Sequence, residues 1–385
     1  MSVGLNMRPG QVVVIFCLIE HAPLAREIAR AAFRAGARRV DHMYNDRHFT
    51  RAHIELGPPD TLDETSPILT GMQKMLEDEQ CAFVQISGEP HPTLLSNLDG
   101  RLVGKARPRA YVAEWSRLVG ERKVNWTIVP FATAAWARQV FGEPDVERLW
   151  EAIEKAIRLD HKDPVAEWRR HVERLRNVAN ALNERQFDSL HYRGPGTDFT
   201  VGLLPSSRWD GAETVTTFGV EHIANIPTEE VYTSPDRRRA DGTLRSTRPL
   251  DMRGAMVLDL EFVFRDGRIV EVNASQGADI IRGELQADAN ASMLGEVSLV
   301  DGASAVGQLG LTFYNTLFDE NATCHIAYGD GFEYTVHDEA DRATGLNQSS
   351  VHTDFMVGGP EVEIEGKERG GGWVPVIRDN EFQIV

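Results

Sequence analysis

"QVVVIFCLIEHAPLAREIARAAFRAGARRV" (residues 11–40) decides how the first half of the chain folds. Its opening run, 11–18, is short, apolar and rich in β-branched residues, the pattern of a parallel strand buried on both faces. Residues 22–40 then read as a helix closed by Gly36, with a second strand beginning near Val40. Strand, helix and strand make a βαβ unit. "CAFVQISGEP" (81–90) and "VNWTIVPFAT" (124–133) predict further strands, each followed by turn or cap signals. The expected first domain is Rossmann-like α/β. It lacks the glycine fingerprint that would hold a dinucleotide, so its layout alone names no ligand.

Working outward, 145–184 is charged and helical, as in "DVERLWEAIEKAIRLD" and "PVAEWRRHVERLRNVANALNE", and is expected to link or brace two halves. "HYRGPGTDFTVGLLP" (191–205) opens a strand-rich region. Within it, "MVLDLEFVFRDGRIVEVNA" (256–274) places Asp266-Gly267 between two alternating runs, a hairpin signal. No internal repeat or low-complexity tract interrupts the chain. The expected organisation is an N-terminal α/β domain with helical linker (1–190) and a strand-rich α/β catalytic domain (191–385).

The 385 residues carry a formal charge of -17, which argues against phosphate-backbone recognition and suits cations, whether metal ions or a substrate ammonium. No apolar run is long enough to cross a bilayer, and no signal-peptide pattern opens the chain; a cytoplasmic location is the expectation. Cys17, Cys81 and Cys324 are odd in number and widely spaced, so neither a disulfide framework nor a thiolate metal site is expected.

Chemistry concentrates in the second half. "VHTDFMVGG" (351–359) aims His352 and Asp354 at one side of a strand, since side chains alternate with period two. "DENATCHIAYGDGF" (319–332) supplies Glu320 and His325, "NIPTEEVYTSPDRRR" (225–239) supplies Glu229 and Glu230, and "MLGEVSLVD" (293–301) supplies Glu296. Each has an ordinary explanation: a hydrogen-bonded structural histidine, a solvated acidic edge, or, for Glu320, the start of a helix through "ENATCH". Together they are harder to dismiss, because carboxylates gathered at one point repel unless cations hold them. A single zinc needs only three protein ligands, so this many candidates suggests two ions sharing a carboxylate.

The ordered set "GTDFTVGL", "NIPTEEVYTSPDRRRADGTLRSTRPL", "LGEVSLV", "ENATCHIAYG" and "VHTDFMVGG" resembles the M29 family of metallo-aminopeptidases, the thermophilic aminopeptidase group. The resemblance is strongest over about 190–360, and the N-terminal half matches mainly in layout. It implies metal ligands at Glu230, Glu296, Glu320, His325, His352 and Asp354, with Glu296 bridging two divalent ions, zinc or cobalt first and manganese or iron next. Family members usually carry a tyrosine seven residues after the histidine of "CHIA", where this chain has Phe332. Tyr328 and Tyr334 are the candidates to replace that phenol.

The implied activity is removal of N-terminal residues from short peptides by metal-activated water, with Glu229 or Glu230 passing a proton to the leaving amine. The resemblance also implies a homodimer enclosing its catalytic clefts; segments 239–250 and 368–379, mixed in polar and apolar character, read equally as interface loops or as ordinary surface loops. The alternative is a mononuclear iron ring-cleaving dioxygenase using His325, His352 and Asp354 as a two-histidine, one-carboxylate triad.

Overall fold

A computed structural model describes residues 1–106, 108–252 and 255–384. Four parallel strands, in the order Arg39–Asn45, Val12–Leu18, Ala82–Ser87 and Asn125–Pro130, form the first sheet. Val12–Leu18 has a neighbour on each side, which explains its unbroken apolar run. Val13, Ile15 and Cys17 pack against Ala25 and Ala32 of the helix Ala22–Arg34. Val12 and Val14 face the opposite way, toward Met72 and Leu76 of the helix Pro67–Asp78 and Leu118 of the helix Arg109–Gly120. Each fully buried valine or isoleucine contributes about 1.5–3 kcal/mol. Gly36 ends the first helix at φ +90°, a left-handed turn that a side chain would strain.

Two compact units make up the chain: residues 1–153 with 213–226, and 154–212 with 227–385. This differs from the single division expected near 190 in two respects. The long helix Pro164–Arg185 belongs with the second unit. Residues 213–226 return to the first, where Asn225 bridges to Ile128 and the Arg8 guanidinium donates to the carbonyls of Phe218 and Gly219.

Besides the two-stranded pair Leu250–Met252 and Ala255–Val257, the second unit contains two larger antiparallel sheets among the described residues. The larger has eight strands, in the order Arg268–Asn273, Glu261–Arg265, Pro235–Arg245, Thr197–Leu203, Ser189–Gly194, Glu363–Lys367, Trp373–Arg378 and Glu381–Phe382. Its 261–273 hairpin turns at Asp266 (φ 49°) and Gly267 (φ 83°), both left-handed as a tight two-residue turn requires. The smaller sheet has five strands: His352–Met356, His325–Gly329, Leu294–Leu299, Val231–Thr233 and Asp210–Gly211. Its helical expectation at "ENATCH" is corrected: Glu320 ends the short helix Thr316–Glu320 rather than starting one. Among the described residues no helix is long and apolar enough to cross a membrane. All three cysteines are free and buried.

Candidate metal centre

One face of the five-stranded sheet gathers the acid and imidazole groups. Asp354 lies opposite Ala327, and Ala327 lies opposite Glu296. His352 lies opposite Gly329, while Ser298 lies opposite both His325 and Tyr232. Directly paired residues share a face, and Glu230 stands two positions before Tyr232, on the same side. Ala327 and Gly329, the smallest side chains on this face, leave space between the carboxylates. The opposite face carries Val297, Leu299, Ile326, Tyr328 and Phe355, all fully buried, with the rings of Tyr328 and Phe355 packed around Phe262.

The regular alternation is interrupted between Leu294 and Glu296, where the register shifts by one residue. This bulge turns Leu294 into the core and leaves Glu296 on the polar face, the re-aiming that bulges commonly perform. The residue between them must be glycine. A Cβ on Gly295 would lie 2.0 Å from the carbonyl oxygen of Asp330.

Among the described residues two groups of three emerge, Glu230–Glu296–His325 and Glu296–His352–Asp354, each with ligand atoms within 4.8 Å of one another. His325 Nε2 is 3.0 Å from Glu230 Oε2 and 3.9 Å from Glu296 Oε1. His352 Nε2 is 3.2 Å from Glu296 Oε2 and 3.5 Å from Asp354 Oδ1. Both rings are oriented from behind. His325 Nδ1 donates to the Glu320 carbonyl at 2.9 Å, and His352 Nδ1 donates to the Asp330 carbonyl at 2.7 Å. With Nδ1 so engaged, each ring turns Nε2 toward the carboxylates, holding a proton there in the metal-free protein and able to give its lone pair to an ion in the proton's place, as in histidines that bind metal.

The electrostatics fit a cation. Burial, followed by the neighbouring Asp354 and Glu230 charges, pushes the Glu296 carboxyl up to about 7 against the pull of His352. Burial and then Asp354 hold Glu320 well above the usual carboxylate range. Burial alone would lower His325 and His352, yet the surrounding carboxylates outweigh it and raise both well above an ordinary histidine. Without metal the cluster must hold protons to relieve repulsion, and divalent ions would replace them. The donor set, carboxylates with imidazole nitrogens, suits zinc, cobalt, manganese or iron.

Glu320 enters from the helix end, its charge felt by Asp354, His325, Glu230 and Glu296, but it stands outside the two groups of three. Glu229 does not join them. Its carboxylate points into the interior, held by both Arg158 Nη1 (2.5 Å) and Nη2 (2.8 Å), a geometry that favours Glu230 over Glu229 as the proton carrier. Glu230 faces the cluster instead and accepts from Ser298 Oγ at 2.5 Å. Ser298 was legible in principle, being two strand positions beyond Glu296.

The aromatic candidates also separate. Tyr328 lies on the core face, donating to Glu284 Oε2 at 2.6 Å. Phe332 lies beside the cluster, its ring centroid 5.4 Å from that of His352. Tyr334 and Tyr232 pack on Phe332, their hydroxyls 3.0 Å apart.

The Gly295 contact yields a test. Gly295→Ala pushes the carbonyl that orients His352, so cobalt affinity and turnover should fall about tenfold or more, the usual effect of losing such a partner. Unchanged affinity in a folded variant would show that the Asp330 carbonyl is dispensable.

Residues 1–382 match the family described as "Thermophilic metalloprotease (M29)". Aminopeptidase T of Thermus thermophilus is 40% identical, the alignment covering 99% of this chain and 96% of that protein. Aminopeptidase 2 of Geobacillus stearothermophilus is 35% identical, over 99% of this chain and 95% of its own. The solved structure of wild-type AmpT from Thermus thermophilus superposes with a TM-score of 0.92 at 37% identity, covering 100% of this chain and 97% of that one. These matches correct the dioxygenase alternative, which nothing in them supports. An iron triad of His325, His352 and Asp354 would also leave Glu230 and Glu296 without a cation.

Proposed function

The chain belongs to the M29 family and is a metal-dependent aminopeptidase; from that premise we propose that it works through two divalent ions, zinc or cobalt, sharing Glu296. The observation carrying this reading is that Glu296 presents Oε1 to the His325–Glu230 group and Oε2 to the His352–Asp354 group. Glu230 and His325 would hold one ion and His352 and Asp354 the other, with Glu320 completing the set. When bound, such ions polarise the peptide carbonyl and lower the pKa of water toward neutrality.

The protein's own groups do the rest. The acidic chain, with a formal charge of -17, favours approach of the substrate's terminal ammonium. Glu230, on the same sheet face and tethered by Ser298 Oγ, is the proposed proton carrier to the leaving amine. The Phe332 ring packs beside His352, their centroids 5.4 Å apart. Short peptides are the proposed substrates and a homodimer the proposed assembly, in line with the family resemblance. A cytoplasmic location is in keeping with three buried, unpaired cysteines.

Elemental analysis should find two divalent ions per chain, and chelation should abolish hydrolysis of aminoacyl anilides until metal is restored. One ion per chain with full activity would overturn the paired site. Light scattering with a peptide-length series tests the assembly: a monomer that trims long peptides as fast as dipeptides contradicts it. For Phe332→Tyr, a phenol near the reacting carbonyl should raise kcat more than it changes KM. An unchanged or lower kcat would show that the position needs no donor.

A further inference from the structure

Glu229, the carboxylate turned away from the cluster, sits in a buried network that the chemistry does not use directly. Its side chain is fully enclosed and that of Arg158 nearly so, at 8% exposure. Isolated buried ion pairs are weak sources of stability, because the cost of desolvating two charges offsets much of their attraction. A hydrophobic pair would fill the same volume. The presence of this one needs another reason.

The surroundings show how closely Arg158 is placed. It follows the helix Val146–Ala156 in a left-handed conformation, φ 60°, which a non-glycine residue adopts only at some cost. Its guanidinium lies over the Trp168 ring at 5.3 Å, and the Trp168 indole N–H is tied to the Ile157 carbonyl. Nη2 donates both to Glu229 Oε2 and to His171 Nδ1, at 2.8 and 3.1 Å. His171 Nε2–H donates in turn to the Thr228 carbonyl at 2.8 Å. Accepting at Nδ1 and donating at Nε2, His171 is neutral, in agreement with the pressure of burial and of Arg158 that lowers it to about 3.

The network grips the chain on both sides of one residue. Thr228 is held through its carbonyl and Glu229 through its carboxylate, immediately before Glu230. The Glu229 N–H donates to Asn321 Oδ1 at 2.7 Å, and Asn321 Nδ2 donates back to the Leu317 carbonyl at 2.8 Å. Asn321 directly follows Glu320. A single buried assembly thus joins the two segments that deliver Glu230 and Glu320 from separate parts of the sequence.

We propose that Arg158, His171, Glu229 and Asn321 are positioning residues, a clamp that sets the separation of Glu230 and Glu320 and thereby the affinity of the cluster for divalent metal. The clamp touches no substrate. It acts by removing the freedom of two carboxylates that would otherwise move apart under mutual repulsion. The inference rests on the metal-site reading above.

The test uses cobalt as the probe, titrated into metal-free full-length protein and followed by its visible absorption, alongside metal-free Tm and steady-state kinetics. Arg158→Lys keeps the positive charge but loses the two-pronged grip and the bond to His171. Arg158→Met/Glu229→Gln removes both charges together and avoids leaving one buried alone. Asn321→Ala cuts only the tie between segments. Each is expected to bind cobalt about tenfold or more weakly, with an altered absorption band and kcat reduced more than KM is changed. Arg158→Lys and Asn321→Ala supply the decision if the double variant does not fold. Wild-type cobalt affinity and spectrum in the folded variants, whatever their Tm, would overturn the clamp alone. Failure of the wild-type protein to take up cobalt would overturn the clamp and the metal-site reading together.

Discussion

Exchanging Glu296 for alanine leaves a folded protein without measurable aminopeptidase turnover. Among the described residues Glu296 is the one carboxylate within 4 Å of both histidines, 3.9 Å from His325 Nε2 and 3.2 Å from His352 Nε2. Its removal deprives both groups of three at once, whereas His352→Ala or Glu230→Ala deprives one. Loss of an outer partner alone costs metal sites about 10–100-fold, so loss of a shared ligand should exceed that range. The fold has reason to survive. A buried carboxyl pushed up to about 7 is a burden on the metal-free protein, and alanine relieves it. Circular dichroism with metal analysis and an anilide assay would check the prediction. Retained stoichiometry and turnover would show that Glu296 does not bridge.

The second large effect is one of pH. In the metal-free protein Glu296 titrates at about 7 instead of its ordinary 4.5. Between those values the folded state keeps a proton that the unfolded state has released, so stability falls as pH rises through this window. Raised Glu320 acts in the same direction. His325 and His352 are raised as well; their stabilisation is complete below 6.5 and is lost as pH climbs through their folded values. All four groups therefore make the empty cluster less stable with increasing pH. Metal competes with the same protons, so below about pH 7 its affinity should increase about tenfold per pH unit for each proton displaced. From about pH 5 to about pH 8, the Tm of chelated protein should fall while the gap to the metal-loaded protein widens. Parallel curves in a calorimetric pH series would contradict this linkage.

Much of the site was legible because strands advertise their faces. His352 and Asp354 stand two apart in an apolar run, and that spacing alone put them on one side. Glu229 and Glu230 are adjacent, so sequence required them to diverge without saying which one faced the cluster. The answer lay with Arg158, 71 positions earlier, whose grip on Glu229 leaves Glu230 to the other side. No local pattern marks a residue whose role depends on a partner so far along the chain. The fold divides in the same way. The 11–40 βαβ unit and the Asp266-Gly267 hairpin follow from local periodicity and turn chemistry. The attachment of 213–226 to the first unit depends on contacts such as Arg8 with Phe218 and Asn225 with Ile128, which only the folded chain reveals.

That attachment has a genetic consequence. The first unit is written in two passages, 1–153 and 213–226, with part of the second unit between them. A truncation ending near 153 loses the strands Thr214–Val215 and Glu221–His222, and one starting at 154 carries them as an orphaned loop. A single crossover between two such genes at either place would mix the partners within a unit. Swapping a whole unit between relatives takes several exchanges, made in step. Lineages carrying this arrangement should therefore diversify by substitution within each unit far more readily than by shuffling the units themselves.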